Sequence, residues 1–295
     1  MPDAVQKLKD FKPKHEHFVG IDSDGCVFDT MEIKQKECFI PNIVKFYETQ
    51  PVSKYLRECA EFVNLYSQWR GVNRFPALLK TFELLMKRPQ VKKRGFKSPD
   101  LSALKSWVDR ESKLGNPVLE AEVKKTKNPG LEVALKWSIA VNDRVKDMVY
   151  GIPPFPMVRE SLVKLNGKMD KMVCSQTPCE ALEREWKEHG IDGQVECICG
   201  QEMGTKTEHL KFASGGKYKE NRVLMIGDAP GDMKAAKANR ALFFPILPGE
   251  EDASWQRFHD EAIDRFLNDD FAGDYEAQLV ADFQAKLPET PPWKA

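Results

Sequence analysis

The sequence lacks three features that would place it in a specialised class of protein. Its 295 residues carry no excess of either charge, because 45 Lys and Arg balance 45 Asp and Glu, so the overall charge indicates neither a nucleic-acid nor a membrane-surface partner. No hydrophobic run reaches the length of a membrane span. No internal repeat or low-complexity tract interrupts the chain. We therefore expect a globular protein that acts on a small molecule, and its oligomeric state is left open.

The cysteines are scattered and do not follow a disulfide pattern. The count is seven, an odd number, in a chain long enough to build a core without covalent staples. Cys26, Cys174, Cys197 and Cys199 lie in or beside apolar runs, which predicts reduced core thiols. Cys197 and Cys199 could also form a metal or redox pair, although core packing is favoured because no second pair lies nearby. The first fourteen residues are polar and lysine-rich, unlike a secretory signal, so we expect a cytoplasmic location.

The most informative stretch is HFVGIDSDGCVFDT, at 17–30. Its apolar run at 18–21 predicts a buried strand, and this strand ends in two carboxylates. The spacing of Asp22 and Asp24 puts both on the same side of an extended backbone, and Gly25 allows a sharp turn. Close carboxylates repel, so either one pKa rises or a cation binds, and a divalent metal suits such an oxygen site. Alone, the segment also fits an ordinary turn.

Polar residues follow two further predicted strands. Ser175 ends the apolar run at 171–175, where its hydroxyl is available to a phosphate oxygen. Thr177 has the spacing of a capping box with Glu180, which predicts a structural role for Thr177. In IGDAPGD, at 226–232, a strand runs into Asp228 and Asp232, which suits a metal ligand and a second acid acting beside it. For Asp232, an acidic residue at a helix N-terminus is the structural alternative.

Lys206 occupies an unusual position for a cation. Thr205 and Glu208 have capping-box spacing, which puts Lys206 in the first turn of a helix. A cation there opposes the helix dipole, so its placement needs another reason, such as a phosphate or the carboxylate of Asp22. Lys211 is the competing lysine, but it lies in the middle of the same predicted helix.

In this order, the four segments resemble the motifs of the haloacid dehalogenase-like superfamily of phosphohydrolases, the first being DxDGxxxDT. The match spans roughly 15–30 and 150–248. The resemblance implies that Asp22 is the nucleophile and Asp24 the general acid and base, and that Ser175 and Lys206 bind the phosphoryl group, with Gln176 as a further substrate contact. It also implies Mg²⁺, held by Asp22, Asp228 and the backbone carbonyl of Asp24, with Asp232 acting on the metal, its waters or the lysine.

The resemblance narrows the chemistry to phosphoryl transfer. Dehalogenases of the superfamily lack the second acid and its ATP-driven pumps carry threonine there, so Asp24 favours phosphate ester hydrolysis or phosphomutase chemistry. We expect the hydrolysis of a small phosphorylated metabolite. A phosphomutase or a phosphonate hydrolase on the same scaffold is the alternative. A non-catalytic binding scaffold would predict a damaged motif, and all the motif residues are present.

The remaining patterns predict an α/β fold, with a Rossmann-like parallel sheet core and an inserted all-helical cap domain. Strands at 171–175, 195–199, 222–227 and 242–246 alternate with helices. The stretch 31–150 is helical and interrupted by proline pairs, and helical caps occur there in the superfamily. We expect the core to comprise 1–30 and 151–295, with 251–295 as a helical extension packed on it. Asp29 is predicted to cap a helix at 30–49.

One cap segment, 66–76, combines Arg70, Asn73 and Arg74 with Trp69 and Gly71. Guanidinium groups suit oxyanions, so we predict that these two arginines and the asparagine contact the substrate. The alternative is an ordinary turn between helices with packed aromatic rings. A closing cap would exclude water and select the leaving group.

Overall fold

The structure is a computed structural model that describes residues 2–293. Its β-strands are β1 (His17–Ile21), β2 (Met169–Cys174), β3 (Cys197–Cys199), β4 (Val223–Gly227) and β5 (Leu242–Pro245). Its α-helices are α1 (Pro2–Asp10), α2 (Thr30–Ile33), α3 (Ile40–Phe46), α4 (Ser53–Leu65), α5 (Arg74–Lys87), α6 (Pro89–Lys93), α7 (Ser102–Arg110), α8 (Asn116–Thr126), α9 (Pro129–Met148), α10 (Val158–Lys164), α11 (Cys179–Glu188), α12 (Lys206–Ser214), α13 (Pro230–Ala238), α14 (Glu251–Arg257), α15 (Ile263–Leu267) and α16 (Asp274–Lys286). Among the described residues, no helix is long and apolar enough to cross a membrane.

The chain divides into two compact units. The first comprises Met1–Thr30 and Gly151–Leu287, and the second Met31–Tyr150 and Pro288–Ala295. We call them the sheet unit and the helical unit. The helical unit is the stretch predicted as a cap, and its role as a cap domain stays a prediction.

The sheet unit contains a five-stranded parallel sheet in the order β3-β2-β1-β4-β5. Every residue of β1 is buried, as expected for a central strand covered on both faces. Ile21 is paired with Val173 on one side and with Ile226 on the other. The three strands therefore end side by side. The α/β fold class predicted from the sequence is confirmed.

Two apolar layers cover the faces of the sheet. Val19 and Ile21 of β1 face one layer, to which the aromatic residues of α14 and the segment after it contribute Trp255 and Phe258. Phe18 faces the other layer. The first part of the predicted C-terminal extension thus packs in the sheet unit, as expected from its helical periodicity.

Two predicted boundaries are corrected, one of a helix and one of a domain. The helix predicted at 30–49 consists of α2, a π-helical segment at Lys34–Phe39, and α3. The predicted extension 251–295 does not pack on the core throughout, because 288–293 belong to the helical unit.

The helical unit has its own aromatic core. Phe75 meets Trp107 and Trp137 edge to face, with ring centroids 5.1 Å and 6.1 Å apart. Trp293, near the end of the described chain, packs against Phe62 at 5.6 Å. The guanidinium of Arg88 lies 4.5 Å from the Trp293 ring centroid. The segment 288–293 is therefore held by both aromatic and cation–π contacts.

Candidate active site

The candidate site lies where three adjacent strands end. Asp22 follows β1, Ser175 follows β2 and Asp228 follows β4. The backbone N–H of Asp22 donates to the carbonyl of Ile226 at 3.0 Å, which continues the pairing of β1 with β4 beyond the strand end. Ligands of parallel α/β sheets bind at this carboxyl edge. The structure therefore brings Ser175 and Asp228 to the same edge of the sheet as Asp22, which precedes them by about 150 and 200 positions in the sequence.

A tight turn carries the first motif away from β1. Gly25 has φ +74°, in the left-handed region that favours glycine. The carbonyl of Ser23 accepts hydrogen bonds from the N–H groups of Val27 at 2.8 Å and Phe28 at 3.1 Å. The turn predicted at Gly25 is thus present, and it fixes the backbone on either side of Asp24.

Three buried carboxylates and one ammonium form the centre of the site. Asp22, Asp228 and Asp232 each place an oxygen within 4.8 Å of the others. The Nζ of Lys206 donates to Asp22 Oδ2 at 2.5 Å and to Asp232 Oδ1 at 2.6 Å. The N–H of Ser23 donates to Asp22 Oδ1 at 2.8 Å. Lys206 therefore bridges two motifs, which accounts for a cation in the first turn of α12.

The position of Asp232 depends on a glycine. Asp232 lies in the first turn of α13, where its Oδ2 accepts from the N–H of Ala229 at 3.0 Å. A Cβ atom on Gly227 would lie 2.4 Å from the Cβ of Asp232. Only glycine permits this close approach between the end of β4 and the helix. Asp232 therefore makes a contact that corresponds to each of the two predictions from the sequence. It accepts a hydrogen bond at the N-terminus of α13, and it also contacts Lys206.

Burial sets the protonation of the cluster. It raises the pKa of Asp22 to about 6, with the charge of Asp228 adding to the shift and Lys206 opposing it. Burial likewise raises the pKa of Asp232 to about 6. Burial disfavours the Lys206 ammonium, but the charges of Asp22 and Asp232 outweigh it and raise the pKa of Lys206. Three carboxylates thus face a single ammonium.

The donor set fits a hard divalent cation. All three carboxylates are buried, and together they offer only oxygen ligands, which is the chemistry that Mg²⁺ prefers. Lys206 compensates one negative charge, so a cation would relieve the remaining repulsion. The ligand predicted from Asp24 is its backbone carbonyl, which stays a prediction, and the carboxylate of Asp24 is not part of this group of three.

Asp24 is held by two hydroxyl groups instead. Thr30 Oγ1 donates to its Oδ1 at 2.5 Å, and Thr177 Oγ1 donates to its Oδ2 at 2.7 Å. The predicted cap at Thr177 is wrong, because α11 begins at Cys179 with no side-chain cap. The contact of Thr177 with Asp24 is one that the sequence reasoning missed. The position of Thr177, three residues beyond the end of β2 and two beyond Ser175, was the available signal.

Ser175 and Gln176 lie on the same loop but differ in exposure. Ser175 is buried, and its Oγ accepts from the N–H of Thr177 at 3.2 Å. Its backbone N–H donates to the carbonyl of Cys199 at 2.9 Å. The side chain of exposed Gln176 donates to the carbonyl of Gly204 at 3.0 Å. The substrate contacts of both residues stay predictions.

The three residues of 66–76 that were predicted to contact the substrate form hydrogen bonds within the helical unit. Arg70 is buried and donates to the carbonyl of Leu65 at 2.9 Å. Arg74 donates to the carbonyl of Ser138 at 3.1 Å and to Asn142 Oδ1 at 2.7 Å. Asn73 caps α5 through the N–H of Phe75 at 3.1 Å. These contacts favour the alternative of a structural turn, and a role in substrate binding stays a prediction.

Comparison with known proteins gives similarities of structure. No family model matches the chain, and no curated protein matches it. A Lactobacillus delbrueckii protein provisionally named phosphoglycolate phosphatase is 16% identical, with a TM-score of 0.48 over 83% of this chain and 92% of that one. A Bacteroides vulgatus protein provisionally named beta-phosphoglucomutase is 14% identical, with a TM-score of 0.46 over 92% and 98%. A haloacid dehalogenase-like hydrolase from Streptococcus pneumoniae is 14% identical, with a TM-score of 0.44 over 83% and 91%.

Proposed function

We propose that the protein is a Mg²⁺-dependent phosphatase that hydrolyses a small phosphorylated metabolite through an aspartyl phosphate on Asp22. The observation that carries this proposal is the contact of Lys206 with both Asp22 and Asp232, in a cluster completed by Asp228. An ordinary buried ion pair needs one carboxylate for each cation. The surplus of buried carboxylates here suits a site that also holds a cation and a transferable phosphoryl group.

Asp22 supplies the nucleophile. A carboxylate oxygen of Asp22 attacks phosphorus in line, a P–O bond to Asp22 forms, and the P–O bond to the leaving group breaks. Lys206 already lies at hydrogen-bond distance from Asp22 and fixes the orientation of its carboxylate. Its ammonium and the hydroxyl of Ser175 are the donors proposed for the phosphoryl oxygens.

Asp24 moves the protons. It donates a proton to the leaving oxygen as that bond breaks, and it then accepts a proton from the water that attacks the phosphorus of the intermediate. Hydrogen bonds from Thr30 and Thr177 hold both of its oxygens. This support limits rotation of the carboxylate, so that one orientation can serve both steps.

Asp22, Asp228 and Asp232 are the residues that would hold the cation. When bound, a divalent ion neutralises charge on the phosphoryl group. Because its ligands must be ionised, we expect Mg²⁺ to bind and to raise the melting temperature at pH 8 more than at pH 5. Asp228→Asn should reduce this shift, which tests the site without an activity assay.

Replacing Asp22 by asparagine tests the nucleophile. We expect Asp22→Asn to abolish phosphate release from a panel of phosphorylated metabolites in Mg²⁺, because an amide is a poor nucleophile. Asp192→Asn, which alters an exposed carboxylate of the same unit outside the motifs, is the matched control and should retain turnover. Circular dichroism checks that both variants are folded. Undiminished activity in Asp22→Asn would remove Asp22 from this role.

The same assay separates the alternative reactions. A phosphatase releases inorganic phosphate from a phosphate ester, whereas a phosphomutase converts one sugar phosphate into its isomer. A phosphonate hydrolase would release phosphate from a C–P bond. Isomerisation without phosphate release would replace phosphatase by phosphomutase in this proposal.

A further inference from the structure

The two cysteines of β3 form a close thiol pair outside the cluster described above. Cys197 and Cys199 lie two residues apart on the same face of the strand, and their sulfur atoms are 3.7 Å from each other. β3 is an edge strand of the sheet. Cys199 is buried, whereas Cys197 is partly exposed. One thiol of the pair is therefore accessible to a reagent, and the other lies directly behind it.

The backbone geometry allows a disulfide between them. Cα atoms two residues apart in a strand are separated by roughly 6.6 Å, and disulfides span Cα separations of about 4.4–6.8 Å. The sulfur atoms must approach from 3.7 Å to about 2.05 Å. Side-chain rotation and a small contraction of β3 would supply this movement. The contraction matters because β3 pairs with β2 directly before Ser175.

The chemistry of the pair is asymmetric. The thiol of Cys199 donates to the sulfur of Cys197 and lowers the pKa of Cys197, against the opposing effect of burial, and Lys7 adds to the lowering. The same contact, together with burial, raises the pKa of Cys199. Each of the other five cysteines has a raised pKa, chiefly through burial. Cys197 is also the more exposed of the two, so it is the thiol of this pair that a reagent reaches and that ionises more readily.

Metal binding fits this cysteine pair less well than redox chemistry does. Within residues 2–293, the only group of three or more His, Cys, Asp or Glu ligand atoms close enough to share an ion is the aspartate cluster. A structural zinc site needs four ligands. The pair lacks a third and a fourth ligand at suitable distance, so redox chemistry is the use that its geometry supports.

We propose that Cys197 and Cys199 are a redox modification site that forms a reversible disulfide on reaction with a low-molecular-weight disulfide such as oxidised glutathione. The Cys197 thiolate attacks one sulfur of the reagent, forms a mixed disulfide and releases one glutathione thiolate. Cys199 then loses its proton and attacks the Cys197 sulfur, which releases the second glutathione. The protein loses two electrons and two protons, and oxidised glutathione is reduced to two glutathione molecules.

The thiol pair is linked through the backbone to the loop that follows β2 and carries Ser175 and Thr177, which is the catalytic loop of the proposed function. The carbonyl of Cys199 accepts from the N–H of Ser175 at 2.9 Å, and the N–H of Gln201 donates to the carbonyl of Thr177 at 3.0 Å. A Cβ atom on Gly200 would lie 2.6 Å from the Thr177 carbonyl oxygen, so the two backbones are in close contact. Contraction of β3 should therefore displace Ser175 and Thr177, and with them Asp24.

Mass spectrometry tests the disulfide independently of any activity. Trypsin releases the peptide 188–206, which contains Cys197 and Cys199 and no other cysteine. The folded protein is treated with oxidised glutathione and its free thiols are then blocked. This peptide should be unalkylated and lighter by two hydrogen atoms than the reduced, unalkylated peptide. Dithiothreitol should restore two alkylated cysteines. Alkylation of both thiols after oxidation would overturn the proposal, as would a disulfide confined to the peptide 172–184, which carries Cys174 and Cys179.

An activity measurement tests the consequence, which rests on the proposed phosphatase function. We expect oxidation to lower kcat by about tenfold, since displacements of about 1 Å at catalytic groups cost up to about 10²-fold. Cys197→Ser should be active and insensitive to oxidised glutathione, whereas Cys179→Ser, a half-buried thiol of the same unit, should stay sensitive. A disulfide in 188–206 without loss of activity would overturn the coupling to the catalytic loop. If the reduced protein has no phosphatase activity, the proposed function fails, and the disulfide result still stands.

Discussion

Replacing Lys206 by methionine removes the only ammonium that the structure shows inside the aspartate cluster. Its side chain is 16% exposed and contacts Asp22 and Asp232 at 2.5 and 2.6 Å. Methionine preserves much of the length of the side chain but leaves both carboxylates without their cation. Removing one partner of a buried ion pair costs about 3–5 kcal/mol. We expect a loss of that size in the free energy of unfolding at pH 8, in metal-free protein.

The loss should depend on pH in a defined direction. With Lys206 present, burial already raises the pKa values of Asp22 and Asp232 from 3.8 to about 6. Without Lys206 both values rise further, so the folded state binds protons more tightly than the unfolded state. The stability contributed by these protons is present below pH 3.8 and is lost as the pH rises through the folded-state pKa values. Lys206→Met should therefore be less destabilised at pH 5 than at pH 8.

Urea unfolding in EDTA at the two pH values measures this difference. Lys211→Met is the matched control, since Lys211 lies on the same helix and is exposed, and it should unfold like the parent protein at both pH values. An equal loss of unfolding free energy at pH 5 and pH 8 would refute the electrostatic reasoning. The loss would then come from packing alone. Stability indistinguishable from that of the parent would show that Lys206 does not compensate the buried carboxylates.

Two further predictions concern contacts that the sequence did not reveal. Thr177→Val removes one hydrogen bond to Asp24 and should lower kcat about tenfold with little change in KM, because the residue proposed as general acid loses orientation. Thr177→Ser should retain activity, and equal kcat in steady-state assays of the valine variant and the parent protein would contradict this role. Trp293→Ala removes the ring that contacts Arg88 and Phe62 and should destabilise the helical unit by about 2 kcal/mol in urea unfolding, from cation–π and aromatic terms, whereas Trp293→Phe should lose less; no change in the alanine variant would mean that the segment contributes nothing to stability.

The strand ends could be predicted because their signals are local. An apolar run followed by a carboxylate marks both Asp22 and Asp228, and Ser175 ends a similar run. Once the chain is read as an alternating α/β fold, parallel strands must place these residues at one edge. The capping box at Thr205 likewise fixed the start of α12, which put Lys206 where it reaches Asp22. Local pattern and tertiary structure agree at these positions.

The two wrong predictions, the cap at Thr177 and the packing of 288–293, have a common physical cause. In each, a contact with a residue distant in sequence replaces the local pattern. Thr177 and Glu180 fit a capping box, but the hydroxyl of Thr177 donates to Asp24, 153 residues away in sequence. A pattern of four residues contains no information about that carboxylate. The segment 288–293 is polar and rich in proline, and its place in the helical unit depends on Trp293 meeting Arg88 and Phe62. Such contacts follow from packing, which periodicity does not encode.

The two acids of the first motif illustrate how environment assigns different tasks to identical side chains. Asp22 is buried beside Lys206 and the other carboxylates, where its negative charge is held next to the position proposed for phosphorus. Asp24 is oriented by the hydroxyls of Thr30 and Thr177, each of which donates a hydrogen bond to one of its two carboxylate oxygens. A fixed charge suits attack on phosphorus, and an oriented carboxyl with hydroxyl partners suits proton transfer. The residues proposed as nucleophile and as acid and base are therefore distinguished by their neighbours, although only Ser23 separates them in the chain.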